Sequence, residues 1–438
     1  MHTSDFVAVL LVLAASFSYL NRRFLRLPTT VGLTALTLLA SLAAVAAGIV
    51  FPAVEHRAVG FARQIDFNQT VLHGMLGFLL FAGALRIDLG DLAQQKGIVA
   101  LLATAGVVVS TLLVGGMAWG VLDLLGVPVR PIYCLLFGAL ISPTDPIAVL
   151  ALLKRLGAPR PLEVTIASES LFNDGVGVAF FLGLLEIAVN GHGFSPGRLA
   201  TLFLREALGG AAFGLAAGYL VYRLLKSVDD YQLEVLLSLA LVAGGYALTD
   251  ALHLSGPIAM VVAGLLIGNH GRLFAMSATT CQHLDVFWEL IDEVLNAVLF
   301  VLLGLEVLAV TFTSRYLVAG LLAVPAVLMA RFLSVGLLVW LQRRLAPVGR
   351  GAVRVLTWGG LRGALSVAMA LSLPRGVAGE AVPERDVILV VTYVVVVFSV
   401  LVQGLTIGPL TRRWLAGAAR PGGEKAHAAA VSSEAGNS

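Results

Sequence analysis

Charge is scarce in this sequence, and that scarcity excludes a soluble protein. Only 13% of the 438 residues are Asp, Glu, Lys or Arg, about half of the roughly 25% that is usual in soluble domains. Hydrophobic residues make up 58%, and the mean hydropathy is +0.93. A chain with so few charges cannot cover a water-facing surface, so we expect a polytopic membrane protein.

Cysteine and nucleotide-binding motifs are also rare or missing. The two cysteines, Cys134 and Cys281, form neither a metal motif nor a disulfide framework. No phosphate-binding Gly-rich motif with its Lys is present, which excludes an ATP-driven pump with its own nucleotide site. The net charge of +3 bears on loop orientation rather than on nucleic acid. We therefore expect no cofactor and no nucleic-acid partner.

Long apolar runs are what the sequence has in abundance. A spanning helix needs roughly 20 mostly apolar residues to cross the hydrocarbon layer. The predicted spans are 5–21, 28–50, 69–86, 96–124, 131–156, 162–189, 199–226, 232–252, 256–270, 291–310, 316–342, 351–374 and 386–411. The run at 256–270 is short and the segment 272–290 is amphipathic, so twelve and fourteen spans remain alternatives.

The distribution of Lys and Arg orients these thirteen spans. It places 19 of the 29 basic residues on one side of the membrane and 8 on the other. Because cytoplasmic loops carry an excess of Lys and Arg, this asymmetry predicts an outside N-terminus and a cytoplasmic C-terminus. The first five residues contain no Lys or Arg, so we expect no cleavable signal peptide. The Ala-, Gly- and Ser-rich segment 416–438 is predicted to be a disordered cytoplasmic tail.

Two prolines and an aspartate interrupt the span 131–156. The segment 142–146 is Ser-Pro-Thr-Asp-Pro, and its prolines free backbone carbonyl groups at membrane depth. Irregular backbone at this depth is tolerated where it is buried in protein or lines a cavity. A broken helix with Asp145 at the break predicts an ion or substrate site. The alternative is a simple proline kink with Asp145 turned toward a loop.

The span 162–189 carries two carboxylates in its interior. Ser170 and Asp174 are four residues apart and share one helix face, as do Glu169 and Asn173. Carboxylate, hydroxyl and amide oxygens suit a hard cation or a proton. The alternative is a loop between two shorter spans.

An arginine lies within the span 351–374. Arg362 stands in the stretch Gly-Gly-Leu-Arg-Gly-Ala, and a membrane arginine needs a partner. We predict that this partner is Glu169, which leaves Asp174 as the carboxylate free to exchange. The alternative places Arg362 at the cytoplasmic end of its span.

Two further charged residues lie within spans. Glu306 and Arg331 are expected to pair with each other or with backbone groups, because an isolated charge at this depth is costly.

Five short strings together resemble the sodium/proton antiporters of the NhaP and eukaryotic NHE type, the first branch of the monovalent cation:proton antiporter superfamily. The strings are Ser-Pro-Thr-Asp-Pro at 142–146, Glu-Ser-Leu-Phe-Asn-Asp at 169–174, Phe-Val-Leu-Leu-Gly-Leu-Glu at 300–306, Gly-Leu-Arg-Gly-Ala at 360–364 and Gln-Gly-Leu-Thr at 403–406. They occur in the order and spacing of that family.

The resemblance implies the fold class: an all-α polytopic membrane protein with about thirteen transmembrane helices, inverted repeats and two crossing broken helices, the NhaA-like antiporter fold. Residues 1–415 would form the transmembrane antiporter domain. Core helices at about 96–189 and 316–411 would move against dimerisation helices at about 5–86 and 232–310. The protein would be a homodimer in the plasma (inner) membrane.

The resemblance also implies roles for the site residues. Asp174 would bind the proton and the cation, Asn173 matches the Asn-Asp pair typical of electroneutral exchangers, and Glu169 and Arg362 match the family's ion pair. The residues implied to coordinate Na⁺ are Asp174, Asp145, Ser170 and Thr144.

The expected activity is secondary active, electroneutral exchange of a monovalent cation for H⁺, with Na⁺ expected and Li⁺ or K⁺ as alternatives. The expected partners are these ions, membrane lipid and a second copy of the chain. Because no covalent chemistry is implied, we expect no enzyme activity. Two other function classes remain as alternatives: a cation channel, and an intramembrane aspartyl-type enzyme using Asp145 and Asp174.

Overall fold

Helices form almost all of the part of the chain that the computed structural model describes. The described residues are 3–48, 51, 59–61, 67, 69–156, 158, 160–189, 196–308, 310, 312–342, 352–377 and 380–418. The helices before residue 190 are α1 (Thr3–Leu20), α2 (Thr29–Gly48), α3 (Leu76–Leu85), α4 (Leu89–Ala103), α5 (Ala105–Leu124), α6 (Pro131–Ile141), α7 (Ile147–Leu156) and α8 (Arg160–Val189).

The second half of the chain continues the same architecture. Its helices are α9 (Pro196–Leu225), α10 (Tyr231–Ala251), α11 (Gly256–Leu266), α12 (Arg272–Phe274), α13 (Ala278–Leu305), α14 (Ser314–Gln342), α15 (Ala352–Trp358), α16 (Ala364–Leu371), α17 (Glu384–Phe398) and α18 (Gly404–Ala418). The π-helical turns are Asn21–Leu25, Gln69–Met75, Ile267–Gly271 and Ser399–Gln403, and Glu306–Leu308 is a 3-10 turn. Two short antiparallel strands, β1 (Gly376–Val377) and β2 (Glu380–Ala381), form a hairpin before α17.

Thirteen helical segments lie where thirteen spans were predicted. Nine segments of the described chain are long and apolar enough to cross a membrane: Asp5–Leu25, Thr29–Gly48, Leu89–Leu124, Arg160–Val189, Leu199–Leu225, Tyr231–Ala251, Gly256–Phe274, Ser314–Leu341 and Glu384–Trp414. The other four predicted spans correspond to the shorter Gln69–Leu85, the more charged α13, and two broken helices, α6–α7 and α15–α16. The segment 272–290 adds no further span, because it contains α12 and the first half of α13.

The helix α13 begins thirteen residues before the predicted start of its span. The Ser277 hydroxyl oxygen caps it by accepting a hydrogen bond from the Thr280 N–H at 3.3 Å. Leu284 and Trp288 are buried on one face, and the indole N–H of Trp288 donates to the Ser238 hydroxyl oxygen at 3.0 Å. The amphipathic segment is therefore helical because it packs against α10 and not because it is apolar throughout.

Most helix contacts fall within two groups, which meet where α8 packs on α9 and α11. In the first group, α5 packs on α6 and α14, α4 and α6 pack on α8, and α17 packs on α14 and α16. In the second, α13 packs on α1, α2 and α3, and α11 packs on α3, α9 and α10. Small residues allow helices to approach closely. A methyl group on Gly138 of α6 would lie 2.3 Å from the Thr111 carbonyl oxygen of α5, so only glycine permits this contact between the two helices. The first group contains helices from both ranges predicted for the core, and the division into core and dimerisation helices stays a prediction.

The two broken helices occupy equivalent places in two runs of three spans. One run is α4–α5, α6–α7 and α8, and the other is α14, α15–α16 and α17–α18. The first run begins at the fourth span and the second at the eleventh. Because seven crossings separate these starts, the two runs enter the membrane from opposite sides, as expected of inverted repeats.

The predicted tail lies mostly outside the described residues. Helix α18 extends to Ala418, so the first three residues of the segment 416–438 are helical rather than disordered. The remainder, 419–438, is outside the described part of the chain.

Candidate functional site

The breaks in the two discontinuous helices meet. The first break is the segment 142–146 between α6 and α7, and the second break is the segment 359–363 between α15 and α16. The Asp145 N–H donates to the Leu361 carbonyl oxygen at 2.8 Å, so that one residue from each break forms an antiparallel bridge. Asp145 therefore lies in extended backbone between two half-helices, and the alternative of a simple proline kink is wrong. The prediction of two crossing broken helices is confirmed.

Free carbonyl groups at the first break are satisfied by the arginine of the second. Pro143 and Pro146 carry no N–H, so the helical ladder cannot continue through this segment. The Nη1 group of Arg362 donates to the carbonyl oxygens of Ser142 and Pro143 at 2.7 and 2.9 Å. Arg362 is only 2% exposed, so its guanidinium group is buried within the protein and does not face solvent. A buried guanidinium group thus joins the two breaks.

The carboxylate of Asp145 lies between the N-termini of two half-helices. Its Oδ1 accepts a hydrogen bond from the Ile147 N–H at 3.0 Å, at the start of α7. Its Oδ2 lies against Gly363, the N-cap of α16, where a methyl group would be 3.0 Å away. Helix N-termini carry partial positive charge, so the dipoles of both half-helices point toward this carboxylate.

Side chains of α8 hold the threonine of the first break. Thr144 Oγ1 lies 2.9 Å from Ser170 Oγ and accepts a hydrogen bond from Asn173 Nδ2 at 2.9 Å. The Thr144 N–H donates to Asn173 Oδ1 at 3.3 Å. All three residues are buried. Both ends of the Asn173 amide are therefore engaged by Thr144, which makes Asn173 a residue that positions an oxygen ligand.

Asp174 is the carboxylate at this site for which the described part of the chain provides no hydrogen bond or ion pair. It is half-buried on α8, which runs unbroken from Arg160 to Val189, so the alternative of a loop at this point is wrong. Within the described residues Asp174 has no hydrogen bond or ion pair, whereas it interacts electrostatically with Asp145. Its oxygens are free to bind a proton or a cation.

The predicted partner of Glu169 is corrected by the structure. Glu169 Oε1 lies 2.6 Å from Arg331 Nη2, and the two side chains are 2% and 5% exposed. Among the described residues Glu169 forms its ion pair with Arg331 and not with the predicted Arg362, although the charges of Glu169 and Arg362 also interact electrostatically. Arg331 pairs with Glu169 rather than with Glu306, and it also reaches a backbone group, the Leu356 carbonyl oxygen, at 3.5 Å, which was the other alternative expected for it. The carbonyl groups of the first break hold Arg362, whereas Arg331 lies on α14 and packs beside α15. The sequence signal for Arg331 was its position in an apolar span, which requires a partner but does not identify it.

Sequence analysis missed one acidic residue near the site. Asp292 of α13 forms an ion pair with Arg86, at 3.2 Å, and accepts a hydrogen bond from Asn296 Nδ2 at 2.9 Å. It also interacts electrostatically with Asp145. The sequence could have identified Asp292, because it is a carboxylate within the predicted span 291–310 and such residues are functional candidates.

Comparison with known proteins gives one consistent result. The chain matches the family model described as "Sodium/hydrogen exchanger, transmembrane" over residues 10–413. It is 50% identical over 430 residues to the Na⁺/H⁺ antiporter NhaP of Pseudomonas aeruginosa, covering 97% of this chain and 100% of that protein. The Na⁺/H⁺ antiporter NhaH of Halobacillus dabanensis is 35% identical over 417 residues, covering 93% and 97%.

A solved structure supports the fold. The sodium proton antiporter MjNhaP1 from Methanocaldococcus jannaschii matches with a TM-score of 0.73, covering 94% of this chain and 98% of that chain at 20% identity. The predicted resemblance is confirmed: this multi-pass membrane protein belongs to the transmembrane sodium/hydrogen exchanger family.

Proposed function

We propose that this protein exchanges Na⁺ for H⁺ by secondary active antiport, with Asp174 as the group that binds both ions in turn. One observation carries the proposal: Asp174, which has no hydrogen bond or ion pair among the described residues, interacts electrostatically with Asp145 where the two broken helices meet. Discontinuous helices with exposed backbone ends form ion sites in secondary transporters. The names of the relatives, which are Na⁺/H⁺ antiporters, support the same activity.

Oxygen ligands for Na⁺ come from both helices that meet at the site. Asp174 and Asp145 supply carboxylate oxygens, while Ser170 and Thr144 supply hydroxyl oxygens from a buried pair 2.9 Å apart. Asn173 fixes Thr144 through two hydrogen bonds. Because the Asp174 carboxylate cannot hold a proton and a cation at once, binding of one ion excludes the other, and the fluxes are coupled.

The charges around the site support one-for-one exchange. The pair of Glu169 with Arg331 is neutral as a unit. The guanidinium group of Arg362 is bound by the carbonyl oxygens of Ser142 and Pro143, and its charge is fixed throughout the cycle. We take Asp174 as the one carboxylate whose charge changes in the cycle, since it alone is neutralised in turn by a proton and by Na⁺. Each half-cycle therefore carries no net charge, and the exchange is electroneutral.

Alternating access follows from the two groups of helices. The group that contains both breaks is the mobile core, and the other group is the dimerisation domain of a homodimer. The protein lies in the plasma membrane with its N-terminus outside and its C-terminus in the cytoplasm, in keeping with the asymmetry of Lys and Arg. Movement of the core carries the occupied site from one side to the other.

Neither alternative function class gains support. The relatives described above are antiporters, which favours neither a channel nor an intramembrane enzyme. Asp145 is engaged as the cap of α7, so the two aspartates do not form an equivalent catalytic pair.

Proteoliposomes test the proposed function directly. A fluorescent ΔpH dye is followed while Na⁺, Li⁺, K⁺ or Rb⁺ is added, with protein-free liposomes as the control. We expect saturable dequenching with Na⁺ and no change in rate when valinomycin and a potassium gradient impose a membrane potential. A flux that does not saturate and carries current would indicate a channel, and a rate that rises steeply with potential would contradict one-for-one exchange.

A further inference from the structure

The last span widens into a π-helical turn, Ser399–Gln403, beside the second break. Such turns are rare and recur at functional sites. The turn leads into the string Gln-Gly-Leu-Thr at 403–406, to which the exchange mechanism assigns no role. Ser399 and Gln403 are four residues apart, and both are buried. Each makes a hydrogen bond to the backbone of the broken helix.

Gln403 holds the end of α15. Its Nε2 donates to the carbonyl oxygen of Trp358, the last residue of that half-helix, at 2.9 Å. The indole N–H of Trp358 donates in turn to Thr406 Oγ1 at 3.0 Å. Because the final carbonyl groups of a helix have no partner within it, this amide satisfies a group that the break would otherwise leave free.

Ser399 holds the other side of the same break. Its hydroxyl oxygen accepts a hydrogen bond from the Arg362 N–H at 2.8 Å, and both residues are at most 2% exposed. Arg362 immediately precedes Gly363, the N-cap of α16. One helical turn of the last span therefore fixes both ends of the break.

The second break in turn positions the first. The guanidinium group of Arg362 binds the carbonyl oxygens of Ser142 and Pro143, and the Leu361 carbonyl oxygen accepts the Asp145 N–H at 2.8 Å. A displacement of the segment 361–362 therefore moves the backbone that carries two proposed oxygen ligands, Thr144 and Asp145.

We propose that Ser399 and Gln403 are positioning residues that set the spacing of the oxygen ligands and thereby the discrimination between Li⁺ and Na⁺. The inference rests on the proposed function. Selectivity among hard cations depends on cavity size and ligand flexibility, a principle that we extend here from divalent ions. When a hydrogen bond made by Ser399 or Gln403 is lost, the second break becomes more flexible. The oxygen ligands can then adjust to an ion of different radius, so the preference between Li⁺ and Na⁺ weakens.

The test compares variants of the full-length protein in proteoliposomes. In Ser399→Ala and Gln403→Leu, the half-saturating concentrations for Na⁺ and Li⁺ are measured by dequenching of the ΔpH dye. We expect the ratio of the two concentrations to change by about two- to twelvefold, which corresponds to the net contribution of one hydrogen bond. Ser399→Thr retains the accepting oxygen and should restore the wild-type ratio.

The matched control is Thr392→Val. Thr392 is buried on the same helix, seven residues before Ser399, and its hydroxyl group has no hydrogen-bond partner within the described structure. A defect in folding alone lowers the amount of active protein and the maximal rate, but it leaves the Li⁺/Na⁺ ratio unchanged. If Ser399→Ala cannot be purified, Gln403→Leu provides the same measurement from the other end of the break.

The outcomes separate this inference from the proposed function. An unchanged ratio in the variants, or an equal change in Thr392→Val, overturns the positioning role while exchange by the wild type still supports antiport. If the wild type exchanges no cation for protons, both proposals fail together.

Discussion

Replacing Glu169 by Gln should destabilise the protein, and a second replacement at Arg331 should restore most of that loss. Breaking a buried ion pair costs about 3–5 kcal/mol, because one charge is left uncompensated. Arg331 has little else to bind: its Nη2 lies 3.5 Å from the Leu356 carbonyl oxygen, and its Nε has no hydrogen-bond partner within the described residues. Gln retains an oxygen at this position, so we expect the lower end of that range.

The measurement is a pair of double-mutant cycles on protein purified in detergent micelles, with unfolding free energies from denaturant titration. Glu169→Gln combined with Arg331→Gln should show a coupling energy of about 2 kcal/mol or more. The same change combined with Arg362→Gln is the control, because Arg362 is held by backbone carbonyl groups. A larger coupling with Arg362, or additive losses with Arg331, would refute the pairing.

Three further predictions follow from other contacts of the structure, two at the site and one at the start of α17. Gly363→Ala would place a methyl group 3.0 Å from Asp145 Oδ2, so the maximal exchange rate in proteoliposomes should fall while the protein remains folded on size-exclusion chromatography. Asp292→Asn removes a negative charge near Asp145, so the half-saturating Na⁺ concentration should rise about two- to fivefold, and the rise should be smaller at high ionic strength. If the half-saturating concentration does not rise at low salt, Asp292 does not attract Na⁺ to the site. Arg130→Gln leaves the 7%-exposed Glu384 side chain without its ion-pair partner, so unfolding free energy should fall by about 1–3 kcal/mol, and equal stability in a denaturant titration would contradict this.

Hydropathy and proline were sufficient to predict much of the fold. Thirteen segments lie where apolar runs of spanning length were found, because the bilayer fixes both the length and the composition of a crossing helix. The break at Asp145 was predictable, since two prolines cannot continue a helical ladder. The start of α13 at Ala278 was not, because it depends on burial of Leu284 and Trp288 against a distant helix.

The charge pairing within the membrane required tertiary structure. Two arginines within predicted spans, Arg331 and Arg362, were candidate partners of Glu169, and their spacing along the chain does not show which one pairs with it. The choice depends on backbone geometry: the free carbonyl groups of the first break engage Arg362, while Arg331 reaches Glu169 from α14. The helix face shared by Ser170 and Asp174 was predictable, but the use of the Asn173 amide to hold Thr144 was not.

The role of Asp174 as the single exchanging carboxylate is tested most directly by Na⁺-driven proton flux in purified Asp174→Asn. An amide cannot take up a proton near neutral pH or contribute a negative charge to a cation site. Asp250→Asn is the control, since Asp250 is an exposed carboxylate at the end of α10. We predict that Asp174→Asn folds with wild-type thermal stability and shows no flux above that of protein-free liposomes, while Asp250→Asn retains exchange. Saturable Na⁺-driven proton flux in Asp174→Asn would contradict the assignment.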